Sequence, residues 1–198
     1  MRGRSVGAVF STATKDPPAE AERVERSLRA RAVELREARL GDTHETGAVR
    51  WTVLGPVRSI EAGSVPNNAS VVMLVQAQGL RILLTGDIEP EAQAALMAQW
   101  PAVHADIAKV PHHGSRYQDP GLARWSGAGL ALVSVGEGND YGHPASSTIE
   151  QWRAAGASVW RTDLLGSIAI SRAPDGALGV VTERGECVGC WTHHGKDR

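Results

Sequence analysis

A mixed α/β sandwich is the fold class this sequence predicts, on three observations. Short apolar runs alternate with helix-forming segments, two of the runs are joined as a hairpin, and polar clusters stand directly at the ends of several of them. The 198 residues suit one domain with a core of its own. With 42% hydrophobic and 22% charged residues the composition is that of a globular chain, not a disordered or coiled-coil one. A formal net charge of −1 lacks the basic excess of a stand-alone nucleic-acid binder, so any such contact must be local.

Val6 to Phe10 reads as a short buried strand, and Asp16-Pro17-Pro18 opens a charged helix-forming segment from Ala19 to Leu40. Its Arg and Glu residues read as a solvated surface rather than a nucleic-acid arm. Val49 to Leu54 alternates like a strand. Ser70 to Val75 and Leu80 to Leu84 flank Gln76-Ala77-Gln78-Gly79 as a hairpin, and Pro90 to Trp100 follows as a helix with Pro in its first turn. Ala105 to Val110 and Leu130 to Val135 are further strands, a helix runs from Ser147 to Ala155, and Ser158 to Arg161 and Ser167 to Ser171 are the last strands. Leu178 to Thr182 adds an edge strand. No stretch approaches the roughly 20 apolar residues of a membrane-spanning helix, and the chain reads as soluble. Cys187 and Cys190 form one Cys-x-x-Cys with His193 and His194 behind it. Zinc there lacks a second distant ligand pair, so a frayed, reduced tail over 183–198 is expected.

The chemistry gathers where apolar strands end, because a rigid strand can hold a side chain in place while leaving it open to solvent. Asp87 follows Ile82-Leu83-Leu84-Thr85-Gly86; taken alone, it serves equally well as a cap for the next helix or as a metal ligand. His112 and His113, between Pro111 and Gly114, shift that balance. Two adjacent imidazoles cannot both point inward, so one can ligate a metal while the other faces a substrate as proton donor or phosphate contact. Asp with neutral His suits zinc, manganese or iron, and a divalent ion brings the pKa of bound water towards neutrality. Ser115 serves equally as a phosphate donor or a turn residue.

Five motifs stand in order. They are Asn67-Asn68-Ala69-Ser70-Val71-Val72, Leu83-Leu84-Thr85-Gly86-Asp87, Lys109-Val110-Pro111-His112-His113-Gly114-Ser115, Asn139-Asp140-Tyr141-Gly142-His143-Pro144, and Arg161-Thr162-Asp163 with Gly166. Together they resemble the C-terminal metallo-β-lactamase-like domain of ComEC-type DNA-internalisation proteins over roughly residues 5 to 182. The resemblance implies a four-layer αββα fold over 1–182, one or two divalent metals (zinc or manganese), and hydrolysis of a phosphodiester, in single-stranded DNA or another such substrate. By position, Asp87 and His113 resemble metal ligands and His112 the substrate-facing partner. His143 resembles either a ligand or a phosphate contact. Asn67 and Asn68 take a supporting or substrate role, and Ser115 and Tyr141 fall on the substrate side.

Enzymes of this fold carry most of their ligands in an early His-x-His-x-Asp-His or His-x-Asp-x-Asp-His cluster, and this sequence has none. Its early His44 reads as loop surface. The expectation is therefore a partial fold, beginning past that cluster and past the membrane region of full-length relatives, which reside in the bacterial cell membrane. Such a chain has an incomplete metal site and little or no activity by itself. The alternatives are a non-catalytic module that binds DNA or a partner such as an upstream ComEC membrane segment, and a hydrolase of another phosphoester.

Overall fold

The computed structural model describes residues 5–173, 176–185 and 187–188. Its centre is a seven-stranded sheet built from β3 (Thr43–Thr46), β4 (Val49–Gly55), β5 (Val72–Ala77), β6 (Leu80–Leu84), β7 (Ile107–Lys109), β8 (Leu130–Val133) and β9 (Ser158–Arg161), in that spatial order. From β3 to β6 neighbouring strands are antiparallel; from β6 to β9 they are parallel. The β5–β6 hairpin pairs Met73 with Leu84 and Ala77 with Leu80, as the two apolar runs predict.

Alternation along the strands divides two cores. Leu83, Ala108 and Ala131 face α3 (Pro90–Gln99), α4 (Leu122–Ser126) and α5 (Ser146–Ala154), packing against Leu96, Leu122, Ile149 and the fully buried Trp152. Leu80, Ile107 and Leu130 face the other way, onto Val180 of a three-stranded sheet made by β10 (Ile168–Arg172), β11 (Leu178–Thr182) and β12 (Cys187–Val188). Burial on both faces explains why the parallel strands read as continuous apolar runs. The result is helices, sheet and sheet in layers, the α/β sandwich the sequence predicts.

Four local expectations change. The helix expected from Ala19 ends early, as α1 (Pro18–Arg29), because Ala32 takes φ 51° and the chain then enters β2 (Glu34–Glu37), which pairs in parallel with β1 (Ala8–Ser11). Helix-forming composition yields there to backbone pairing. His44 belongs to β3 instead of a surface loop, with its ring 4.3 Å from that of Phe10 and 5.4 Å from that of Trp51. β11 lies between β10 and β12, so it is the middle of its sheet and not an edge. Cys187 is disulfide-bonded where a reduced thiol was expected; Cys190, His193 and His194 lie outside the described residues. Two short helices, α2 (Val65–Asn68) and α6 (Thr162–Leu165), sit beside the strand ends that matter for the site.

Candidate functional site

The carboxyl ends of parallel strands β6, β7 and β8 open on one edge of the sheet, where α/β sheets characteristically place ligands. The first two ends are laced together. Buried Thr85 donates its hydroxyl to the Lys109 carbonyl at 2.8 Å, and the Lys109 ammonium donates to the Gly86 carbonyl at 2.7 Å. Gly86 takes φ 59°, and a Cβ there would fall 2.5 Å from Cβ of Ser70, so the turn admits only glycine. Ser70 Oγ in turn accepts the Asp87 amide at 3.1 Å. These contacts aim the Asp87 carboxylate at the next strand end. Its Oδ1 lies 3.3 Å from Lys109 Nζ and its Oδ2 lies 3.6 Å from His113 Nε2. Of the two roles open to Asp87 in the sequence, capping is not the one adopted: Glu89 occupies the N-cap of α3 and no side chain caps it.

Both histidines are left-handed, His112 at φ 47°, ψ 47° and His113 at φ 53°, ψ 24°. For residues with a Cβ this conformation costs on the order of 1 kcal/mol or more apiece, and it turns the two rings apart to an interplanar angle of 69°. His113 Nδ1 sits 2.6 Å from the Ser134 carbonyl, which can only accept, so Nδ1 carries the hydrogen. In the neutral ring Nε2 then presents its lone pair towards Asp87 Oδ2, an arrangement that calls for a proton or a cation between them. His112 Nδ1 is buried with no hydrogen-bond partner among the described residues, and Glu89 Oε1 lies 3.7 Å away.

The His143 ring lies 5.4 Å from that of His112, and the exposed Tyr141 ring stacks on it at 6.1 Å. Asn139 holds this loop in shape, donating to the His143 carbonyl at 2.7 Å and accepting its amide at 3.2 Å. Burial, then the neighbouring His112 and His113 rings and Arg116, hold the His143 pKa below the ordinary histidine range. Burial likewise pushes the Lys109 ammonium below the usual lysine range, with Asp87 opposing.

Asp87, His112, His113, His143 and Tyr141 thus come together, while the remaining sequence candidates lie behind them. Asn68 is 1% exposed; it donates to the Ala62 carbonyl and accepts the Glu89 amide, both at 2.9 Å. Asn67 donates to Glu89 Oε1 at 3.1 Å, and the Ser64 amide donates to Glu89 Oε2 at 2.9 Å. Ser115 is buried, its Oγ accepting the Tyr117 amide at 3.3 Å and its carbonyl the Thr148 hydroxyl at 2.6 Å. The Asn-Asn motif therefore builds a mount for Glu89. Sequence reasoning did not single out Glu89 or Lys109. The signal for each was proximity: Glu89 is two residues past Asp87, and Lys109 opens the double-histidine motif.

The fit to a metal can be tested on these donors. With bonds of about 2.0–2.2 Å, two ligands of one tetrahedral ion stand about 3.3–3.6 Å apart, so Asp87 Oδ2 and His113 Nε2 match one edge of such a polyhedron. Among the described residues no group of three or more His, Cys, Asp and Glu side chains is placed to hold a metal ion. An edge without further donors is short of the four ligands a metal site of this kind needs, so the described residues do not fit a complete centre.

The mixed sheet brings Gly-Asp, Pro-His-His-Gly and Tyr-Gly-His-Pro to successive strand ends on one edge of an α/β domain. No protein-family model matches the sequence. Over 148 residues, 74% of this chain, it is 30% identical to ComE operon protein 3 of Bacillus subtilis (strain 168). It is also 30% identical over 104 residues to Competence protein ComA of Neisseria gonorrhoeae, and 33% identical over 119 residues to Uncharacterized protein YcaI of Escherichia coli (strain K12). The chain is a homologue of the ComEC-type competence proteins. It spans a small part of these relatives, 19%, 15% and 15% of their lengths. Among solved structures, Zn(2+)-bound PqqB from Methylobacterium extorquens overlays 81% of this chain and 64% of its own, with a TM-score of 0.47 and 13% identity. Among the described residues no helix is long and apolar enough to cross a membrane.

Proposed function

We propose that this chain carries the later half of a divalent-metal phosphodiesterase centre in a domain associated with DNA uptake, and that by itself it hydrolyses DNA little or not at all. The observation that carries this reading is the edge formed by Asp87 Oδ2 and His113 Nε2 across two parallel strand ends, with the histidine tautomer set by the Ser134 carbonyl. The names of two relatives supply the DNA-uptake context. Asp87 and His113 are the residues that would hold zinc or manganese, and a bound ion would supply a water acidified towards neutral pH. His112 and His143 line the open side, where a phosphodiester of single-stranded DNA would lie within reach of imidazole donors, and the exposed Tyr141 ring offers a surface on which a base can stack.

Titration of manganese and zinc into the full chain by calorimetry tests this. The expected result is weak binding at one site that Asp87→Asn and His113→Ala each abolish, with no cleavage of single-stranded DNA by the chain alone. Tight binding of two ions, or binding indifferent to both substitutions, would overturn it. A second reading, a module that binds DNA or a partner without catalysis, is favoured by the ammonium of Lys109 already lying against Asp87.

A further inference from the structure

The Lys109 side chain is largely buried, and its ammonium has three N–H donors facing three oxygens: the Gly86 carbonyl at 2.7 Å, Asp87 Oδ1 at 3.3 Å and the Val110 carbonyl at 3.4 Å. A carboxylate and two carbonyls grouped around one positive charge is the ligand chemistry of a hard cation, supplied here by the chain itself. Asp87 is consequently shared, with Oδ1 turned to this ammonium and Oδ2 to His113. A divalent ion taken up by Oδ2 would share one carboxylate with a fixed positive charge. At separations of a few ångströms such repulsion is large even when the surroundings screen as strongly as a protein surface does.

We propose that Lys109 is a resident counter-cation of Asp87 that competes with divalent metal and keeps the metal affinity of this chain low. The inference rests on the reading of Asp87 and His113 as metal donors. Two donors make a weak site in any protein; Lys109 makes this one weaker than its donor count alone requires. It acts on the metal through Asp87, and it also ties the β6 and β7 ends together through the Gly86 and Val110 carbonyls. Charge and clamp are therefore to be separated in the test.

The experiment is a titration of manganese chloride and zinc sulfate into the full wild-type chain and into Lys109→Gln, Lys109→Met and Lys109→Arg. Binding is read by calorimetry and by loss of the free manganese signal in electron paramagnetic resonance, and folding is checked by circular dichroism melts. Glutamine keeps a donor for the Gly86 carbonyl while removing the charge, methionine removes both, and arginine keeps the charge. Lys109→Gln and Lys109→Met are expected to bind metal about tenfold tighter than wild type, with Lys109→Arg unchanged. Adding Asp87→Asn to Lys109→Gln is expected to abolish binding, as it does in the wild-type background. Affinity in both neutral variants equal to or below wild type overturns the proposal. Loss of the fold in both also overturns it, since Lys109 would then be a clamp only. The two failures are distinguishable: wild-type binding indifferent to Asp87→Asn and His113→Ala sinks the metal reading itself. Binding that depends on both residues yet ignores the Lys109 charge sinks only this inference.

Discussion

Two acid–histidine pairs lie side by side in this site at nearly the same separation, Asp87 with His113 at 3.6 Å and Glu89 with His112 at 3.7 Å, and their surroundings differ completely. Side chains of the first pair are 35% and 45% exposed, against 13% and 23% for the second. Both Glu89 oxygens accept a bond from the protein, from Asn67 and the Ser64 amide, and its own amide is held by Asn68. Asp87 Oδ2 accepts no hydrogen bond among the described residues and faces His113 on the open side of the sheet edge. The same chemistry is thereby fixed in one pair and available to an outside ion in the other. Residue type did not make that difference; the desolvation and prior hydrogen bonding of the carboxylate did.

The largest expected effect breaks the exposed pair at its base. Gly86→Ala adds a Cβ at φ 59° that would fall 2.5 Å from Cβ of Ser70, and should destabilise the fold by about 3 kcal/mol or more, measured by urea unfolding. A loss below about 1 kcal/mol would mean that the turn is looser than its contacts indicate. Asn68→Ala attacks the buried pair instead. It removes two hydrogen bonds at a buried site and should cost about 2–3 kcal/mol, while leaving the metal binding proposed for Asp87 and His113 unchanged. Equal damage to both pairs would show that they are one network.

Gly63→Ala is the milder version. At φ 68° its Cβ would collide with Glu89 Oε2, the far end of a side chain that can swing aside, so a cost of about 1–2 kcal/mol is expected in the same melts. A neutral result would mean Glu89 is held less firmly than its hydrogen bonds suggest. The smallest effect is on pH dependence. Burial and neighbouring positive groups lower the His143 pKa in the folded state, so the unfolded chain binds that proton first as pH falls. The stability His143 contributes is complete above its unfolded pKa of about 6.5 and is lost as pH drops below it. His143→Gln should flatten the slope of stability against pH between about 7 and 5; an unchanged slope would place the ring in an environment no different from solvent.

Much of this was legible beforehand. Continuous apolar runs gave away the β5–β6 hairpin and the doubly buried strands β7 and β8, because burial of a strand on both faces leaves a run that is legible in one dimension. The Gly-Asp and His-His-Gly motifs marked the strand ends at which Asp87 and His113 come together. β2 was hidden because all four of its residues are exposed, so it shows no burial pattern, and His44 because its aromatic neighbours come from other strands. Glu89 gave no sign of its role in the sequence, because that role rests on bonds from Asn67 and Ser64, more than twenty positions away.

The sequence by itself determined which strands are buried, where they end, and that Asp87 and the two histidines stand at those ends, since each is a matter of local pattern. Only the tertiary structure decided what each polar atom faces. That Lys109 lies on Oδ1 of Asp87, that His113 turns a lone pair to Oδ2, and that Asn67 and Asn68 serve Glu89 all depend on bringing separate strand ends and loops within a hydrogen bond of one another. No spacing along the chain encodes such distances; they follow from the register of β6 on β7 and from the backbone turns at Gly86, His112 and His113.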